Sequence, residues 1–101
     1  MSEKNFHHLC DNFLEQLAQR LEEWDKNSLL DVEYSDGILT INLENSGQTY
    51  VINRHSATQK IWYSSPISGA DYFSFDENSE NWVDSKGEEI EEKLMEELSK
   101  I

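Results

Sequence analysis

Basic charge is what this chain has least of: eight lysines and arginines stand against 21 aspartates and glutamates, for a formal net charge of −13. Such a surplus repels nucleic acid and anionic membranes, so neither is expected as a partner, and it attracts cations and basic protein surfaces. The lone cysteine, Cys10, excludes an internal disulfide and a cysteine-built zinc site, and fits a reducing compartment. Pro66 is the only proline, and the four glycines stand singly at 37, 47, 69 and 87, so neither a phosphate-cradling loop nor a dinucleotide fingerprint can be assembled. No apolar run reaches membrane-spanning length. The first residues, Met1-Ser2-Glu3-Lys4, have neither the apolar stretch of a signal peptide nor the Arg-rich character of an organelle presequence. The expectation is a soluble, cytoplasmic protein.

What is present is unevenly placed. Between Gly37 and Ala70 the only acid is Glu44, against Arg54 and Lys60, so that stretch carries +1 and the rest of the chain −14. At 101 residues and 37% hydrophobic content, the chain suffices for one domain, 1–101, with one core shared by a sheet and two helices.

Phe6, Leu9, Phe13, Leu17, Leu21 and Trp24 recur at three- and four-residue steps, which predicts an amphipathic helix from about Glu3 to Asp25, with Cys10 and Leu14 beside its apolar stripe. The period then changes to two. Leu30, Val32 and Tyr34 alternate with Asp31 and Glu33, and Ser35-Asp36-Gly37 leads to Leu39, Ile41 and Leu43, a hairpin pattern. Further strands are expected at Thr49 to Arg54, Lys60 to Ser64, Asp71 to Asp76 and around Trp82. Helical spacing returns from Glu88 through Ile90, Leu94, Leu98 and Ile101, with six glutamates assigned to the wet side. Alternation implies a sheet with one dry face, so both helices must cover the same side. The expected fold is α+β: a two-layer sandwich with the N- and C-terminal helices on one face of an antiparallel sheet of about five to six strands.

Two surfaces carry chemistry. Asp11, Glu15, Glu22, Glu23 and Asp25 on the first helix should lie near Asp31 and Glu33 on the following strand, forming a ridge of carboxylates. Oxygen ligands of this kind hold Fe²⁺ or Mn²⁺ weakly, with water keeping most of the coordination shell. His7, four residues from Glu3 and from Asp11, is a candidate nitrogen ligand. The bland alternatives are a solvated acidic helix face and an exposed histidine. The second surface is the open face of the sheet, where alternation places Lys60, Trp62 and Ser64 with Asn53, Gln59, Thr40 and Asn42. A tryptophan among amides has the composition of an interface core, the alternative being cross-strand packing. Trp24, Trp82 and Cys10 read as structural. No convergent nucleophile, base and acid pattern stands out, so an enzyme is not expected.

The block Asn53-Arg54, Gln59, Ile61-Trp62-Tyr63-Ser64-Ser65 and Gly69, preceded by Gly37-Ile-Leu-Thr-Ile-Asn and by a helix ending Glu22-Glu23-Trp24-Asp25, resembles frataxin in its bacterial form, over essentially the whole chain. The spacing of Asn53, Gln59 and Trp62 is the most specific part. The resemblance implies a two-helix α-β sandwich, low-affinity iron (Fe²⁺/Fe³⁺) on the acidic ridge with other divalent cations as substitutes, and a role in iron–sulfur cluster assembly through contact with the cysteine desulfurase and its scaffold protein. Residue by residue, Asp11, Glu22, Glu23, Asp25, Asp31 and Glu33 match acidic ridge positions, His7 matches an assisting histidine, and Asn53, Gln59 and Trp62 match the sheet surface. Glu22 and Glu23 are also expected to meet the basic partner. Gln19, Asn27 and Leu29 stand where close bacterial relatives often carry acids, so the ridge is thinner here. The sequence ends almost with the second helix, which is expected to leave little tail over the groove between the helices. A monomer is expected, with iron-dependent oligomerisation as the alternative. Two other readings stay open: a metal-independent acidic interaction module, and a ferroxidase or iron store, which would call for Glu-x-x-His pairs that the sequence lacks.

Overall fold

The structure is a computed structural model and describes residues 1–100; Ile101, assigned above to the apolar face of the second helix, lies outside the described residues. Helix α1 (Glu3–Trp24) leads into six strands, β1 (Leu30–Ser35), β2 (Ile38–Leu43), β3 (Thr49–His55), β4 (Lys60–Ser65), β5 (Gly69–Asp76) and β6 (Asn81–Val83), and the chain closes with α2 (Ile90–Leu98). The strands form one antiparallel meander in sequence order, β1-β2-β3-β4-β5-β6, with both helices on one face. This is the α+β sandwich that the periodicity predicts.

Local chemistry explains the start of the first helix. Ser2 is extended and its hydroxyl accepts the Asn5 amide at 3.1 Å, a cap that satisfies one of the unpaired N–H groups of the first turn. Helix α2 begins two residues later than the sequence pattern suggests, because Glu89 pairs with Val83 at the sheet edge and serves as an extended cap. Between β1 and β2, Asp36 and Gly37 both have positive φ, 49° and 78°, the geometry of a two-residue hairpin turn whose twist matches the strands.

The buried stripe of α1 runs through Phe6, Cys10, Leu14, Leu17, Ala18 and Leu21. Leu9 and Phe13 are only partly buried at its margin, and Trp24 is 40% exposed beside a cleft formed with Leu29 and Leu98. Trp24 therefore does not complete the core stripe as its spacing suggested: the chain leaves the helix there, and only the ends of β1 and β2, at Leu30 and Leu43, reach it. Opposite the stripe, Leu39, Ile41, Tyr50, Ile52, Ile61, Tyr63, Phe73 and Trp82 supply the sheet's dry face. Phe6 meets Trp82 edge-on at 6.0 Å between centroids, and Tyr63 meets Phe73 at 5.6 Å, geometries that favour tilted aromatic pairs. No described helix is long and apolar enough to cross a membrane.

Candidate metal-binding ridge and sheet surface

The acids of the ridge separate into two kinds. Asp11 faces the sheet and accepts a hydrogen bond from Arg54 Nη1 at 2.6 Å and another from the Tyr34 hydroxyl at 3.0 Å, while Arg54 Nη2 reaches Asp36 at 3.4 Å. Arg54 lies on the same side of β3 as buried Ile52, so strand alternation aims its guanidinium at α1. Burial and the Asp11 carboxylate push the Tyr34 hydroxyl up to about 12, so it stays a donor. Asp25 accepts the amides of Leu29 at 2.8 Å and Leu30 at 2.9 Å, closing the connection from α1 into β1. Both carboxylates are thus already engaged by the fold.

The remaining ridge acids are uncommitted. Glu15, Glu22 and Glu23 are exposed on α1, and Asp31 and Glu33 point outward from the edge strand β1, with no side-chain hydrogen bond or ion pair among the described residues. Glu22 and Glu23 occupy the last turn of α1, which carries no basic residue. The negative end of the helix dipole makes that an unfavourable place for a carboxylate, and nothing in the fold offsets it. The five acids form a dispersed surface; no group of three or more His, Cys, Asp or Glu converges on a point among the described residues. Such a donor set fits a hydrated hard cation carried as cargo, not a resident ion in a closed cage.

His7 makes its contacts with residues other than the ridge acids. It is half-buried, its Nε2 lies 3.1 Å from the Ser56 hydroxyl in the β3–β4 turn, and Glu3 is at 4.0 Å. The Cys10 thiol is buried, and desolvation with the neighbouring Asp11 charge pushes it up to about 12, so it does not supply a thiolate.

On the open face of the sheet, register builds a row across five strands: Ser35, Ile38, Asn53, Trp62 and Tyr72 are consecutive cross-strand partners. Ile38 is 48% and Tyr72 42% exposed, whereas Trp62 is half-buried between Asn53 and Tyr72. The tryptophan does face outward, as alternation predicts, but its neighbours cover part of it; Ile38 and Tyr72 supply apolar surface that the sequence reading overlooked. Asn53 donates to the Arg54 carbonyl at 2.9 Å, and Gln59, at φ 55°, donates to the Met1 carbonyl at 3.0 Å. Gln59 therefore ties the amino terminus to the β3–β4 turn rather than standing free beside Trp62.

One acid lies where no surface assignment fits. Glu97 is buried, and its carboxylate accepts hydroxyl bonds from Ser65 at 2.6 Å, Tyr50 at 2.9 Å, Tyr63 at 3.1 Å and Ser68 at 2.7 Å. It was among the six glutamates placed on the wet side of α2. The positions 90, 94, 97 and 98 share one helical face, which was the available signal.

A frataxin-like domain model matches residues 1–101. Among curated proteins, mitochondrial frataxin of Arabidopsis thaliana is 32% identical over 100 residues, covering 96% of this chain and 53% of that protein. Mitochondrial frataxin of Dictyostelium discoideum is 40% identical over 84 residues, covering 80% and 43%. The chain thus spans about half the length of these relatives. A crystal structure of trimeric frataxin from the yeast Saccharomyces cerevisiae, complexed with ferrous iron, matches with a TM-score of 0.79 at 34% identity, over 93% of this chain and 85% of that one. Frataxin from Psychromonas ingrahamii shares the fold, with a TM-score of 0.84 at 21% identity over 99% and 90%. With a matching domain along its whole length and relatives at this identity, the chain belongs to the frataxin-like family.

Proposed function

We propose that this protein is an iron-binding regulator of iron–sulfur cluster assembly, which carries Fe²⁺ or Fe³⁺ loosely on the uncommitted acids of its ridge and docks on a cysteine desulfurase and its scaffold protein. The observation that carries the reading is the placement of Glu22 and Glu23 at the negative end of α1, beside outward-pointing Asp31 and Glu33, with no cation of the fold's own. Carboxylates that the fold neither pairs nor favours gain most from an external cation or an arginine-rich surface. A yeast relative complexed with ferrous iron supports the choice of ion.

The two surfaces divide the work. The ridge steers a basic partner and sets the salt dependence of association, and the row centred on Trp62 supplies a contact with little charge. Iron and the partner compete for the same carboxylates, so each lowers the affinity of the other by the same factor, which makes docking iron-sensitive. Nothing in this scheme asks the protein to oxidise iron. Glu15, Glu22, Glu23, Asp31 and Glu33 are the residues in the metal role; Asp11 and Asp25 hold the ridge in place, and His7 makes its contacts elsewhere.

The reading is tested by desulfurase turnover and cluster formation with and without the protein across a series of Fe²⁺ concentrations. The expected result is a rate change that varies with iron, weakens with salt, and is lost in a Glu22→Lys, Glu23→Lys variant. Trp62→Ala should weaken docking by about 2 kcal/mol with an unchanged salt slope. A rate change that ignores iron but keeps its salt dependence would favour a metal-independent acidic module. No rate change at all would overturn the proposal.

A further inference from the structure

An open groove of about 770 Å³ lies on the helix side of the sheet, away from the face that carries Trp62, between the middle of α1, the start of α2 and the β5–β6 turn. Its origin is a mismatch in length. Helix α1 has 22 residues and α2 only nine, so α1 runs about 33 Å against about 14 Å for its neighbour. The uncovered part presents Leu9 and Phe13, which with Phe75 form a floor of partly buried apolar side chains.

The rim is acidic. Glu77 and Glu80 come from the β5–β6 turn, and Glu89 and Glu91 from the start of α2. The only lining cation, Arg20, is spent on Glu91, which it grips through Nε at 2.8 Å and Nη2 at 2.7 Å. Desolvation, a hydrogen bond shared with Glu92 and the charges of Glu92 and Glu91 raise the Glu89 carboxyl above its ordinary value. An apolar floor beside the unpaired carboxylates of Glu77 and Glu80 is complementary to a chain that alternates leucine-like anchors with lysine or arginine.

We infer that this groove is a docking site for a basic, leucine-bearing peptide segment of a partner protein, separate from the acidic ridge and independent of iron. The groove is open to solvent, which admits a continuing chain. Its floor requires apolar anchors, which separates it from the ridge, where charge alone suffices.

The test uses the whole protein and a fluorescein-labelled Leu-Lys-Lys-Leu-Lys-Lys-Leu-Lys peptide, with a serine-for-leucine version as the charge-matched control. Amide shifts on titration should concentrate at Leu9, Phe13, Phe75 and Glu80. The serine peptide should bind about tenfold more weakly, and Glu77→Lys, Glu80→Lys on the exposed turn should cost about tenfold, against a threefold loss or less for Glu22→Lys, Glu23→Lys of equal formal charge. Equal losses from the two charge reversals, shifts centred on Glu22 to Glu33, or equal binding of the serine peptide would each overturn the proposal, since each would reduce the contact to general acidity. The exposed turn variant is chosen so that unfolding does not confuse the result; its thermal melt is the check, and binding is read only below it.

Discussion

Glu97 holds the carboxyl end of α2 to the β4–β5 corner through four hydroxyl bonds, and it does so as an anion. Burial alone would raise its pKa, but the hydroxyls of Ser65, Ser68, Tyr50 and Tyr63 outweigh that and hold it below the ordinary 4.5. Because the folded value lies below the unfolded one, the stabilisation is complete above the unfolded pKa and is lost as pH falls through the folded value. Glu97→Gln should therefore cost about 1–3 kcal/mol at neutral pH, since an amide turns two donors toward hydroxyls that need acceptors. Urea unfolding from pH 7 to pH 3 checks this: the gap between wild type and variant should close in acid, and a gap of constant size would contradict it. Gly37 gives a second residue-scale expectation. A β-carbon there would stand 2.5 Å from Arg54 Nη1 at a φ of +78°, whereas Gly47, at +72°, has open space around it. Gly37→Ala should lose about 2–3 kcal/mol and Gly47→Ala about 1 kcal/mol in denaturant titrations. Equal losses would mean that Arg54 swings aside freely.

At the scale of elements, α1 and β1 determine which acids belong to the fold and which to the solvent. Asp11→Asn removes the charged partner of a mostly buried guanidinium, and Asp25→Asn weakens the clasp that starts β1, so each should lower stability by about 1–2 kcal/mol. Glu22→Gln, Glu23→Gln and Asp31→Asn together should instead raise the melting temperature, because they relieve the helix end and touch no partner. A thermal-shift comparison of the two sets checks it, and a fall in both would make the whole ridge structural. The helices and strands were legible because each element keeps one period: 3.6 through Phe6 to Leu21, two through Leu39 to Leu43. Partner choice was not legible in the same way. Asp11 and Glu15 are one helical turn apart and alike in sequence, yet Arg54, 43 positions from Asp11, engages only the first. Glu97 was hidden because its charge suggested solvent while its spacing suggested core. Trp24 failed in the opposite sense, with core spacing at a place where the sheet ends.

For the whole molecule, a charge of −13 over 101 residues means that folding gathers like charges, and the fold offsets this locally with Arg54, Arg20 and Lys93. The uncommitted carboxylates still repel one another, so the melting temperature should rise with sodium chloride from dilute buffer to about physiological strength, where the screening length is about 8 Å. A fall with salt would mean that the ion pairs outweigh the repulsion. In the proposed function, the acids the fold leaves unpaired, and not acidity in general, take the cation. Paramagnetic Co²⁺ or Mn²⁺ titrated into the labelled protein, read by amide line broadening, tests it most directly. Broadening should appear first at Glu15, Glu22, Glu23, Asp31 and Glu33, with Trp62 and Glu97 still sharp; broadening centred on the Trp62 row, or first on the acids of α2, would contradict it.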